Sequence, residues 1–152
     1  MIDPQAVPLS LYIHLPWCTR KCPYCDFNSH EGFTDSLQQP YVEALLADLD
    51  SQQAWWHDRP IHSIFIGGGT PSLFEGRWLG ALLEGISIKA NLSRDVEITL
   101  ESNPGSAECD RFAGYRAAGV NRLSIGVQSF DDRTLKTLGR IHSGDDARRA
   151  LD

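Results

Sequence analysis

Four β-rich apolar runs, each followed by a stretch with helical periodicity, constrain this chain more than any other feature. Leu9–Leu15 alternates and reads as a first strand. After a polar connection over Asp26–Gln39, Pro40 suits the first turn of a helix, with Tyr41, Val42, Leu45, Leu46 and Leu49 at helical spacing. Trp55 and Trp56 are expected to pack on that apolar face. Ile61–Ile66 is a short buried strand, running into a turn at Gly67–Pro71 and then a helix that aligns Trp78, Leu79, Leu82, Leu83 and Ile86. Val96–Leu100 is a third strand, stopped by Glu101–Gly105; Ser106 can cap the next helix, which carries Phe112 and Tyr115 and ends at Gly119. Arg122–Gln128 is the fourth strand, followed by a helix capped by Asp131 and stopped by Gly139, and by a last helical stretch opening at Ser143. Four βα units in succession predict an α/β fold with a parallel sheet and right-handed crossovers. The 152 residues are enough for one domain with a real core.

In such sheets, functional residues gather beyond the C-terminal ends of the strands. The unusual residues here obey that rule. Three of the four cysteines, Cys18, Cys22 and Cys25, follow the first strand with spacing C-x3-C-x2-C. The run Gly67-Gly68-Gly69-Thr70-Pro71 follows the second strand, Glu101 the third, and Gln128 closes the fourth.

Clustered thiols select zinc, copper(I) or iron–sulfur clusters. Three are one short of the usual set of four, so a cluster held by them would leave one metal open to another ligand. A zinc site completed by His14, His30 or Cys109 stays open on spacing grounds. The N-terminus shows no basic, apolar signal-peptide pattern and no apolar run reaches membrane-spanning length. The expected compartment is therefore the cytoplasm, where clustered cysteines read as ligands rather than disulfides. The net charge of −6 and pI near 5.3 speak against a nucleic-acid partner. Cys109, alone, reads as an ordinary helix residue.

The other candidates are weaker taken singly. The glycine run lacks the lysine of a P-loop and the spacing of a dinucleotide fold; its glycines admit a close approach by a ligand or by the neighbouring loop. Glu101 has a solvated loop role as its alternative. Gln128, if buried, needs partners that a polar ligand can supply. Arg140 can pair bidentately with a carboxylate, although surface arginines are commoner. The stretch Asp145–Asp152 ends without a C-cap, in what reads as a helix, and the fourth strand is left as an open parallel edge. The expectation is a tail over 1–8 and, over 9–152, the N-terminal part of a larger barrel-like domain.

Taken together, Tyr12-x-His14-x-Pro16-x-Cys18-x3-Cys22-x-Tyr24-Cys25, Gly67–Pro71, Glu101-Ser102-Asn103-Pro104 and Gly126-Val127-Gln128-Ser129-Phe130 resemble the radical S-adenosylmethionine superfamily, and within it the oxygen-independent coproporphyrinogen III oxidase family. The resemblance spans the chain from Leu9. It implies the first four units of a partial (β/α)6 barrel, with Cys18, Cys22 and Cys25 holding three irons of a [4Fe–4S] cluster. The open iron is then chelated by S-adenosylmethionine, whose reductive cleavage gives a 5′-deoxyadenosyl radical. Tyr12, Tyr24, Gly68, Gly69, Thr70, Glu101, Gln128 and Arg140 are the implied contacts of that cofactor, with Arg140 on the methionine carboxylate. No side chain is given an acid–base or nucleophilic role.

Decarboxylating oxidases of this family carry a further cysteine two residues after the third, where this chain has Phe27. Asp26–His30 instead resembles the HemW-type branch, whose members look like haem chaperones. The implied partners are haem or a porphyrin, haem-accepting apoproteins, and an electron donor such as a flavodoxin or ferredoxin, with membrane contact at most transient. Histidines 14, 30, 57, 62 and 142 are conceivable haem ligands, with ordinary structural roles as the alternative. Coproporphyrinogen oxidation is the competing function.

Overall fold

Alternating strand and helix propensity is realised along the chain in a computed structural model, which describes residues 3, 6–56, 58–105 and 109–151. The elements are β1 (Leu9–Leu15), α1 (Gln38–Ser51), α2 (Gln53–Trp56), β2 (Ile61–Gly68), α3 (Gly76–Lys89), β3 (Leu92–Ser102), α4 (Phe112–Ala118), β4 (Arg122–Ile125), α5 (Asp132–Thr137) and α6 (Gly144–Arg149). The strands form one sheet in the order β1-β2-β3-β4, every neighbouring pair parallel. This is the α/β arrangement of consecutive βα units that part of a barrel would have.

Strand alternation gives the sheet two unlike faces. Ile13, Leu15, Ile64, Ile66, Ile98 and Leu100 are buried, in one cluster with Val42 and Leu49 of α1, Leu79, Leu82, Leu83 and Ile86 of α3, and Tyr115 of α4. On the other face the register sets Ser10 beside Ser63, Tyr12 beside Phe65, Phe65 beside Thr99 and Thr99 beside Arg122. That row is tied by cross-strand pairs: Ser10 and Ser63 hydroxyls at 2.8 Å, stacked Tyr12 and Phe65 rings, and Arg122 to Glu97 at 3.1 Å. The helical layer is bolted by buried Gln38, whose Oε1 accepts from the Glu75 amide at 2.8 Å, joining the start of α1 to that of α3.

Several boundaries differ from those expected. β2 runs on into Gly67 and Gly68, because Leu15 of β1 still has Gly68 to pair with. β3 begins at Leu92 rather than Val96, and the Asn121 side chain serves its lower part, accepting from the Ile98 amide and donating to the Val96 carbonyl. β4 stops at Ile125, short of Gln128: the backbone leaves the ladder and Gln128 takes a left-handed φ of 65°. The Ser106 cap lies outside the described residues. Asp131 and Ser143 do cap α5 and α6, and Gly119 and Gly139 follow their helices with positive φ. α6 closes at Arg149 rather than continuing to Asp152. Trp56 packs against the core, but Trp55 is 82% exposed.

Candidate functional site

The strand register brings the ends of β1, β2 and β3 into line, because Leu15 faces Gly68 and Ile66 faces Leu100; Ser102 in turn faces Ile125 of β4. Each chain segment leaving that rim must therefore cross the same space. The cysteine loop is fastened there at its two feet. Cys18 N donates to the His30 carbonyl at 2.8 Å and His30 N to the Pro16 carbonyl at 2.7 Å, a short parallel bridge outside the sheet. His14 adds a side-chain clasp. Its Nε2 lies 2.8 Å from the Asn28 carbonyl, which can only accept, so Nε2 carries the proton and Nδ1 accepts from the Tyr12 hydroxyl at 2.9 Å. Inside the loop, the Lys21 amide donates to Glu31 Oε1, and its ammonium reaches the Phe27 and Ser29 carbonyls.

The glycine turn lies against the first foot of that loop. Gly69 N donates to the Leu15 carbonyl and Thr70 N to the Trp17 carbonyl, at 2.8 and 2.7 Å. A Cβ on Gly69 would lie 2.5 Å from the Trp17 oxygen; one on Gly68, whose φ is 121°, would meet the His14 ring. Glu101 closes the turn from β3, its Oε2 accepting from Gly68 N at 3.1 Å. The fourth wall is Arg140, after α5. Its Nη2 donates to Asn103 Oδ1 at 2.6 Å and to the Gly126 carbonyl at 2.8 Å, while Nη1 reaches Cys22 Sγ at 3.6 Å.

These walls enclose a cavity of about 380 Å³, within the span of roughly 300–1,000 Å³ usual for small-molecule sites. Cys18, Cys22, Tyr24, Cys25, Gly68, Gly69, Thr70, Glu101, Gln128 and Arg140 all line it. Tyr12 does not. It stands on the polar face of the sheet, stacked on Phe65, with its hydroxyl committed to His14. Partial burial raises its pKa, and the nearby Glu101 carboxylate raises it further. Tyr24 also titrates higher than usual: burial comes first, opposed by the Arg140 cation and helped by Cys22. Asn103, which links Arg140 to Thr70 Oγ1, was given no role by sequence, although it stands in the Glu101-Ser102-Asn103-Pro104 block just after a strand end. Ser102, Ser124 and Phe27 line the same space.

Cys18, Cys22 and Cys25 are free thiols. Among the described residues, no three His, Cys, Asp or Glu side chains are gathered around a single point. Three thiols spread around one larger cavity suit a polynuclear cluster, in which each sulfur binds a different metal. The cavity wall beside the thiols is polar, with Glu101, Ser102, Asn103, Gln128 and Arg140 lining it. Arg140 Nε is itself buried, away from the cavity, with no acceptor among the described residues. The donor set and the cavity therefore fit a cluster with a polar organic ligand beside it. Of the histidines, His14 is committed as above and buried His142 sits 3.0 Å from the Val127 carbonyl. His30 is exposed at the loop foot, His62 is exposed near the start of β2, and His57 lies outside the described residues. No helix among the described residues is long and apolar enough to cross a membrane.

Residues 12–152 match the radical SAM superfamily. The chain is similar to the haem chaperone HemW of Escherichia coli strain K12, 55% identical over 143 residues that cover 94% of this chain and 38% of that protein. Similarity to HemW of Haemophilus influenzae is 50% over 152 residues, 97% of this chain and 40% of the relative. The chain thus spans about two fifths of the length of these curated relatives. Among solved structures it resembles the radical SAM enzyme HemN, the coproporphyrinogen III oxidase of Escherichia coli, with a TM-score of 0.83 and 28% identity over 95% of this chain and 33% of that one.

Proposed function

The chain belongs to the radical SAM superfamily, and from that premise we propose that it forms the cluster- and cofactor-binding part of a haem chaperone. The family implies a [4Fe–4S] cluster and S-adenosylmethionine. In this reading Cys18, Cys22 and Cys25 hold three irons, and Tyr24, Gly68, Gly69, Thr70, Glu101, Gln128 and Arg140 receive the cofactor beside the fourth. Tyr12 acts at one remove, through His14 and the loop foot. When bound, the cluster supplies one-electron reduction of a sulfonium. The chain's own residues bind and orient. The backbone ties of Pro16, Cys18 and His30 hold the thiols at the rim, Glu101 fixes the glycine turn as one wall, and Arg140 brings its guanidinium to another.

The choice between chaperone and oxidase rests on Phe27. An exposed phenyl ring lines the cavity where the decarboxylating oxidases of the family are expected to carry a further thiol. The identities agree in direction, 55% to a haem chaperone against 28% to the oxidase HemN over similar shares of this chain. Haem is then the cargo, with haem-accepting apoproteins and a one-electron donor of the flavodoxin or ferredoxin class as partners. The test uses full-length protein, reconstituted anaerobically with iron and sulfide. Stable haem binding and transfer to an apoprotein, without porphyrinogen turnover, is the expected result. Decarboxylated porphyrinogen together with 5′-deoxyadenosine would overturn it. Replacing Cys18, Cys22 and Cys25 together by alanine is expected to abolish bound iron; a triple variant still holding four irons would refute the ligand assignment.

A further inference from the structure

Arg140 does more at the rim than present a cation to a ligand. Its Nη2 donates to acceptors on the ends of two strands, Asn103 Oδ1 after β3 and the Gly126 carbonyl after β4. Those two bonds fix the plane of the guanidinium. The fixed plane leaves Nη1 facing the cysteine loop, 3.6 Å from Cys22 Sγ and within the range of an N–H···S hydrogen bond. Cys18 and Cys25 have no such cationic donor among the contacts described, so one sulfur of the three is distinguished.

We propose that Arg140 tunes the redox potential of the centre through the Cys22 sulfur, in addition to any contact it makes with a cofactor. This rests on the reading that Cys22 ligates a cluster. A hydrogen bond donated to a thiolate ligand draws charge from the sulfur, and an adjacent cation favours the more negative, reduced form; both raise the potential. Partial burial leaves the attraction less damped than in water. Lysine would keep the charge but cannot hold two carbonyl oxygens and a sulfur from one rigid plane. Glutamine would remove the charge.

The test measures iron content and then the midpoint potential, by EPR-monitored titration with dithionite, of full-length wild type, Arg140→Lys and Arg140→Gln, without S-adenosylmethionine. The expected result is a lower potential in both variants, with the lysine protein between the other two. Omitting the cofactor separates this role from a carboxylate contact, which would weaken cofactor binding and leave the cofactor-free potential unmoved. Variants with wild-type iron and wild-type potential overturn the proposal and leave the cluster reading intact. Wild-type protein that holds no cluster overturns both. If Arg140→Gln loses its iron, Arg140→Lys decides by its potential. Loss of iron from both counts against tuning and makes Arg140 a structural tie.

Discussion

Gly69 and Gly114 would receive the same added methyl group in opposite ways. On Gly69 it would meet the Trp17 oxygen at 2.5 Å and the Pro16 oxygen at 2.8 Å, both backbone atoms that cannot turn aside. The turn and the loop foot would separate, loosening the bonds from Gly69 N and Thr70 N. Gly69→Ala is expected to destabilise the full-length protein by about 2 kcal/mol or more. On Gly114, inside α4, the methyl meets nothing within 4 Å. Gly114→Ala should stabilise by about 0.5–1 kcal/mol through the lost backbone entropy of glycine. Denaturant midpoints of the two variants check both signs. The sequence left the glycine run open between a ligand and the neighbouring loop. At Gly69 the loop foot by itself demands glycine, whatever ligand the same residue faces, and that contact follows from strand register, which no single stretch contains. Tyr12 has the same lesson. The resemblance makes it a cofactor contact; strand alternation sets it on the face shared with Phe65 and Glu101, close enough for the Glu101 carboxylate to raise its pKa.

At the scale of elements, caps were legible and strand ends were not. Asp131 and Ser143 act within three residues of themselves, so their chemistry can be read locally. In α6 the Ser143 hydroxyl accepts from Asp146 N, and the Asp146 carboxylate accepts from Ser143 N. The Ser143 amide and hydroxyl both donate to the Asp146 carboxylate, the backbone bond foremost, and with Arg149 behind them push the Asp146 pKa down from 3.8 to about 2. A carboxyl whose folded pKa lies below its unfolded one stabilises above the unfolded value and loses that contribution as pH falls through the folded one. Ser143→Ala should therefore cost about 1 kcal/mol at neutral pH. The gap to wild type should narrow between pH 4 and pH 2, followed by hydrogen exchange in α6. The end of β4 had no such local mark. Leu123 to Val127 reads as continuous strand, and the local bonds from Val127 N to the Ile125 carbonyl and from Ser129 N to the Val127 carbonyl, with the left-handed turn at Gln128, show where it departs.

The whole molecule is a sheet with one dry and one wet face. The parallel direction of the strands was legible, because each βα unit declares itself by period; their sequential order followed only from the family resemblance, since the same units also build doubly wound sheets. Which polar residues meet across the wet face was not legible, since that depends on offsets such as the irregularity between Ile61 and Ser63. Ile66, wholly buried, and Ser63, on the opposite face of the same strand, measure the asymmetry. Ile66→Ala should cost about 3 kcal/mol and Ser63→Ala no more than about 0.5 kcal/mol, by thermal unfolding of full-length protein. The cysteine loop, for its part, is closed at its feet by backbone bonds between Pro16, Cys18 and His30 and tied to the body through the Trp17 carbonyl, the His14 side chain and the Arg140 contact with Cys22. Backbone amides carry no record of which side chains lie between them. Apart from Lys21 and Cys22, which have side-chain partners outside it, the stretch from Thr19 to Phe27 is therefore an exchangeable cassette. Evolution can rewrite its chemistry, a thiol for a phenyl ring at position 27 included, without renegotiating the scaffold that carries it.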